Sequence, residues 1–351
     1  MSETQIMRQN GWRLTRPLSV CQTLAVFALC LLCCSLPASN AVAPNLPPNC
    51  TSEEIQAALD RLPDGGEVFL GPGTYVVNHP IILRHDHQTL RGSGVTTVLF
   101  LADDANCPVV VMGSPCRKPA RTTGQLRLAD LVIDGNRAHQ RVESWESAVD
   151  GSLLNNNGID IWNASDAVVQ RVTCCHCRSG GLVTSSGTRR LTVDDFTAFD
   201  NQFDGLACYL TEDSRFNKLF LHDNLCAGIS LDLAFNHNLI TDAVLAGNDL
   251  GVFMRNARDN RFDGLTILKS RRYGVFMAQT ASCRPGGHGR VSGTECVGNQ
   301  FVKLVIHDCG GEEFLINDAS CTNNVISEVR EAAASPSLPV APLAALDSSL
   351  R

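Results

Sequence analysis

Apolar and polar positions alternate in this chain in four-residue words, and the words return at a near-constant interval. Glycines fall at Gly158, Gly181, Gly205, Gly228, Gly251 and Gly274, spaced 23, 24, 23, 23 and 23 residues. Each is followed by a strand-like word: IDIW, LVTS, LACY, ISLD, VFMR and VFMA. First and third positions are mostly apolar, as in Ile159/Ile161, Leu206/Cys208, Ile229/Leu231, Val252/Met254 and Val275/Met277. A side-chain period of two sends these to one face of a strand and the second and fourth residues to the other.

A second alternating stretch follows in each unit: Val172/Cys174, Phe196/Ala198, Leu219/Leu221, Ala243/Leu245 and Leu265/Ile267. Asn201, Asn224 and Asn248 close the units in register and predict a ladder of side-chain amides. A unit of this size cannot bury its apolar face alone, whereas stacked units share one continuous core. Strands of successive units then pair in parallel about 4.8 Å apart. The fold class is therefore all-β: a right-handed single-stranded parallel β-helix with an N-terminal capping helix.

That helix is predicted from TSEEIQAALDRL, where Thr51 and Glu54 form a capping box and Ile55, Ala58, Leu59 and Leu62 form one stripe. It covers the open strand edge at the start of the stack. The rhythm breaks at RPGGHGRVSGTE between Cys283 and Cys296, and the final segment EAAASPSLPVAPLAALDSSLR carries no strand pattern. The expected organisation is a signal peptide over 1–43, a β-helix domain over 44–330 and a disordered tail over 331–351.

The stretch IQAALDRLPDGGEVFLGPGTYVV, followed by LRGSG, LVIDGN and the coils, resembles the pectate-lyase-like superfamily of secreted β-helix proteins. That superfamily includes pectate lyases, polygalacturonases, mannuronan C5-epimerases and periplasmic β-helix proteins. The resemblance implies the fold more strongly than any one chemistry, because the fold hosts several activities.

Composition adds a compartment. Arg8, Arg13 and Arg16 precede an apolar run, and Ala41-Val42-Ala43 follows it as a cleavage pattern. The run approaches spanning length, so a retained anchor is the alternative; after cleavage no membrane span remains. Four of the 16 cysteines lie in this leader, leaving an even set for an oxidising compartment, with local pairs at Cys107–Cys116 and Cys283–Cys296. The expected location is secreted, periplasmic or extracellular. Net charge is −7, and losing the leader removes three arginines and one glutamate, which excludes nucleic acid as a partner. An acidic polysaccharide needs only a local basic patch, and Arg255, Arg258, Arg261, Arg271, Arg272, Arg284 and Arg290 supply one in sequence.

Glycoside hydrolysis of the polygalacturonase type is disfavoured. Its paired carboxylates are missing: Asn157 replaces the first, Ser179-Gly180 the next pair, and Asp204 alone survives. Gly287-His288-Gly289 lies in the inserted segment. A lyase or epimerase instead abstracts the proton α to a uronate carboxylate, which must be neutralised, with a base and an acid alongside. The epimerase signature Tyr-Gly-x-Asp-Pro-His is absent, and only Tyr273-Gly274 remains of it. The outward fourth positions place Tyr209, Asp232 and Arg255 on three consecutive coils. In that reading Arg255 neutralises the uronate, Tyr209 donates or accepts the proton, and Asp232 is base or calcium ligand. Asp160, Trp162, Phe253 and His237 would line the substrate path. No cofactor is assigned, and Ca²⁺ is an alternative neutraliser of the uronate. No metal residues are assigned: in TCCHC, Cys174 faces inward, and its neighbours alternate across the strand. The competing reading is a non-catalytic glycan-binding or envelope-assembly rod in which Asp232 and Arg255 simply pair across adjacent strands.

Overall fold

The computed structural model describes residues 45–47, 50–116, 119–279 and 294–327. The expected leader, the tail over 331–351, Cys283 and Gly287-His288-Gly289 lie outside the described residues. The described residues form a right-handed parallel β-helix.

Each glycine-led word is a strand of one sheet, here called the front sheet. Its register runs Ile159, Leu182, Leu206, Ile229, Val252 and Val275, each paired in parallel with the next. All six of these side chains are fully buried. The second stretch of each unit forms the back sheet: Val168–Cys175, Thr192–Phe199, Arg215–His222, Leu239–Ala246 and Arg261–Leu268. Two-residue strands such as Ala164–Ser165 and Phe235–Asn236 make a third, narrow side.

The back strands bend in the middle. Their fourth residues, Arg171, Asp195, Lys218, Asp242 and Gly264, hold φ between 50° and 80°. Each drops out of the ladder, so the pairing skips from Gln170 to Val172 and from Asp194 to Phe196. A left-handed residue reverses the pleat locally, so apolar side chains point inward on both sides of the bend.

The asparagine column is a ladder. Asn201 Nδ2 donates to Asn224 Oδ1 at 2.9 Å, and Asn224 Nδ2 donates to Asn248 Oδ1 at 2.9 Å. Their backbone N–H groups donate to the same oxygens. A second ladder, not anticipated from sequence, runs through Asn238, Asn260, Asn299 and Asn324 at another corner. Its signal was the asparagine before each back strand, in HNLI, DNRF, GNQF and NNVI. The inserted segment breaks the spacing of that column between Asn260 and Asn299.

The N-terminal helix is Ser52–Asp60, with both bonds of the capping box formed and Ile55, Ala58 and Leu59 buried. Gln56 acts as a substitute strand: its Oε1 accepts from Ile82 N–H at 2.7 Å, and its Nε2 donates to Ile82 O at 3.1 Å. Gln88, fully buried, ties the helix end to the first coil by donating to Leu59 O and accepting from the backbone of Arg84 and His85. The first strand edge is closed by side-chain amides as well as by apolar cover.

Two departures bear on function. An antiparallel hairpin, Ser144–Glu146 with Leu153–Asn155, was not expected; Leu154 and Trp145 pack with Val111 and Trp162 of the front sheet. Among the described residues every cysteine is a free thiol, so the expected Cys107–Cys116 pair is not formed. Cys107 points into the main core, whereas Cys116 turns to the Ser114 hydroxyl at 3.2 Å.

Candidate functional site

Parallel register turns sequence spacing into proximity. Tyr209 pairs with Asp232, and Met254 pairs with Leu231, which brings Arg255 beside Asp232 on the next coil. Arg255 Nη2 stands 2.5 Å from Asp232 Oδ2, and the guanidinium lies over the Phe253 ring at 4.9 Å. Phe253 stacks on Phe276 at 5.7 Å. The three expected chemical residues and one expected aromatic face therefore share one surface.

Asp204 joins them. It precedes Gly205 at the start of its front strand and accepts from Ala227 N–H at 2.8 Å. Ser230, the second residue after Gly228, interacts with both the Asp204 carboxyl and the Tyr209 phenol. Burial raises the Asp204 carboxyl to about 6, against hydrogen bonds that favour its ionised form. Burial, followed by the charges of Asp204 and Asp232, pushes the Tyr209 phenol upward, so it stays protonated at neutral pH. The cluster holds a carboxyl poised near neutrality, a neutral phenol and a guanidinium held by a second carboxylate. Asp204 appeared in the sequence only as the survivor of a hydrolase pattern, because its link to Tyr209 runs through Ser230 on the following coil.

The remaining expected residues lie elsewhere. Asp160 and Trp162 sit together on the front strand Ile159–Trp162, both buried rather than on an open face, and Trp162 packs with the hairpin. Asn157 Nδ2 donates to Asp160 Oδ1 at 2.9 Å, and burial raises this carboxyl to about 8. His237 stands past the corner strand Phe235–Asn236, with Nε2 3.8 Å from Asp259. The arginine run does not make a positive patch among the described residues. Arg255 faces Asp232, Arg258 faces Glu295, Arg261 faces Asp263 and Arg272 faces Asp249. Arg271 donates to the carbonyls of Gly247 and Asn224.

A second cluster closes the back strand of an earlier coil. Cys174 and Cys177 are core sulfurs, Cys174 as its inward register required. Cys175 pairs with Asp134 of the preceding coil, and His176 turns out at φ 52°. His176 Nδ1 lies 3.0 Å from Asp134 Oδ2. One ligand atom from each of Asp134, Cys175 and His176 falls within 4.8 Å of the others. The Asp134 hydrogen bond raises the His176 imidazole, and burial raises the Cys175 thiol. The sequence showed Cys175 and His176 together but not Asp134, which pairs with Cys175 from 41 residues away on the preceding coil.

Comparison with known proteins follows the fold. The N-terminal fragment of gene product 12 from bacteriophage phi29 is 12% identical, covers 77% of this chain and 56% of its own, and gives a TM-score of 0.53. ORF18 of Geobacillus virus E2 is 12% identical over 80% of this chain and 60% of its own, with a TM-score of 0.50. The A-module of a mannuronan C-5 epimerase from Azotobacter vinelandii is 17% identical over 81% of this chain and 98% of its own, with a TM-score of 0.43. No curated protein matches the sequence. Among the described residues no helix is long and apolar enough to cross a membrane. Residues 122–303, more than half of the chain, match the family described as periplasmic copper-binding protein (NosD), and the protein belongs to that family.

Proposed function

We propose that this is an extracytoplasmic β-helix protein acting on an acidic, uronate-containing polysaccharide by abstraction of the proton α to the carboxylate. The observation that carries the reading is the Asp204–Ser230–Tyr209 group beside the Asp232–Arg255 pair on one sheet face. Arg255 faces the uronate carboxylate and offsets the charge that grows on it as C5–H breaks. Its buried Nε has no partner among the described residues. Asp204, ionised above pH about 6, takes the C5 proton. In elimination the C–H electrons form the C4–C5 double bond, the C4–O4 bond breaks, and Tyr209 protonates O4. In epimerisation Tyr209 returns a proton to the opposite face of C5. Asp232 positions Arg255.

The test is incubation with alginate, pectate and glycosaminoglycans, with and without Ca²⁺, read by absorbance of unsaturated uronates and by deuterium uptake at C5 in D₂O. Activity that falls about 100-fold or more in Asp204→Asn, with a smaller loss in Asp232→Asn, is the expected result. Absence of both signals across the panel removes the reading and leaves a non-catalytic rod.

A second reading follows the family description, copper binding, and one observation favours it. Imidazole, thiol and carboxylate donors converge at Asp134, Cys175 and His176, a set that suits copper and does not suit Ca²⁺. Copper held there would supply a thiophilic, redox-active centre.

A further inference from the structure

We propose that Asp134, Cys175 and His176 form a one-ion site for a thiophilic transition metal, copper foremost and zinc as its competitor. The inference rests on the copper reading and deepens it at the same three residues; it is independent of the polysaccharide reading.

The three donors are held by backbone, not by chance rotamers. Gly135 N–H donates to Cys175 O at 2.9 Å, and Arg137 N–H donates to His176 O at 2.8 Å. These bonds clamp the turn after Asp134 against the turn after Cys175. Gly135 is required for that approach, since a Cβ there would stand 2.5 Å from Cys177 Cα. Asp134 Oδ1 is committed to Asn136 N–H at 2.9 Å, which fixes the carboxylate and leaves Oδ2 on the cluster side.

Outer partners complete the arrangement. Asp200 Oδ2 lies 3.6 Å from His176 Nε2, on the ring nitrogen away from Asp134. Arg137 holds Asp200 by donating to its Oδ1 at 2.8 Å and to its carbonyl at 2.6 Å. A metal-ligating imidazole commonly has its other nitrogen oriented by a carboxylate, and Asp200 stands in that place for Nδ1 ligation. Phe199, register partner of Cys175, meets the His176 ring edge-on at 5.9 Å. The thiol is buried while the His176 side chain is 41% exposed, so an ion reaches the sulfur past the imidazole. Three protein donors leave a coordination position for solvent or for a ligand from a partner, as in open rather than structural metal sites.

The experiment is titration of the full chain, reduced and anaerobic, with Cu(I) and separately Zn(II), each in competition with a chromogenic chelator. X-ray absorption of the loaded protein reports the ligand atoms. One equivalent bound through sulfur and nitrogen or oxygen is expected. Cys175→Ser and His176→Gln should weaken it at least about tenfold, and Asp200→Asn about 10- to 100-fold. Cys309→Ser, a thiol remote in sequence, should change nothing. Zinc bound at these residues with no copper would sink the copper reading and keep the site. No bound equivalent of either metal, spectra without sulfur, or wild-type affinity in Cys175→Ser would overturn the site. The spectrum of the unmutated protein keeps the question decided if a variant fails to fold.

Discussion

Asp160 shows how a residue of the right type can be diverted by its surroundings. It stands second after Gly158, the outward position, yet it is 1% exposed, with Asn157 bonded to one oxygen. Its Oδ2 is buried with no partner among the described residues, and burial raises the carboxyl to about 8. The unfolded carboxyl ionises near about 3.9. Between those values the folded state holds more protons, so this group stabilises the fold fully below about pH 4 and loses that contribution as pH rises toward 8. Asp160→Asn mimics the neutral acid. Thermal melts from pH 4 to 8 should lose part of their downward slope in the variant, which should be the more stable protein at pH 8. The effect should be on the order of a few kcal/mol; an unchanged slope would show that the carboxyl is not held neutral.

At the scale of the element, the coil depends on asparagine as much as on its apolar words. Asn224 is fully buried and engages both neighbours, accepting from Asn201 and donating to Asn248 Oδ1 and Ala198 O. Asn224→Ala leaves several buried backbone and amide groups unpaired at once. Each such group costs about 1–3 kcal/mol, so a loss on the order of 3 kcal/mol is expected in urea unfolding. Asn224→Asp keeps the acceptor but loses the donors to Asn248 and Ala198, and should fall between the two. Equal stability of all three proteins would contradict the ladder's role. The first ladder was legible because its residues repeat at 23 and 24. The second escaped because its spacing is interrupted, although its chemistry is the same.

Across the whole molecule, a stack of parallel strands has two ends that must not pair with other chains. The helix Ser52–Asp60 protects the first of them through the Gln56 amide on Ile82 and the Gln88 amide on Leu59. Gln56→Ala with Gln88→Ala should therefore lower the melting temperature and promote self-association below it, followed by light scattering. A variant that melts early but stays monomeric would show that the helix contributes packing without guarding the edge. The two proposed sites use the stack differently. One spreads along the front sheet over three coils, and the other closes the junction of two coils at the back.

The sequence alone determined the coil and its stacking, because a side-chain period of two inside a residue period of about 23 admits one way to bury every apolar face. It also placed Tyr209, Asp232 and Arg255 in one column, since constant spacing makes register predictable. Three things were decided only by tertiary structure. The hairpin that packs over Trp162 has no counterpart in the repeat and so no register to read. Arg258 and Arg272 found their carboxylates on other coils, 37 and 23 residues away, where local charge does not reveal them. Asp134 meets Cys175 and His176 because Gly135 lets two turns touch, a contact set by the packing of backbone against backbone.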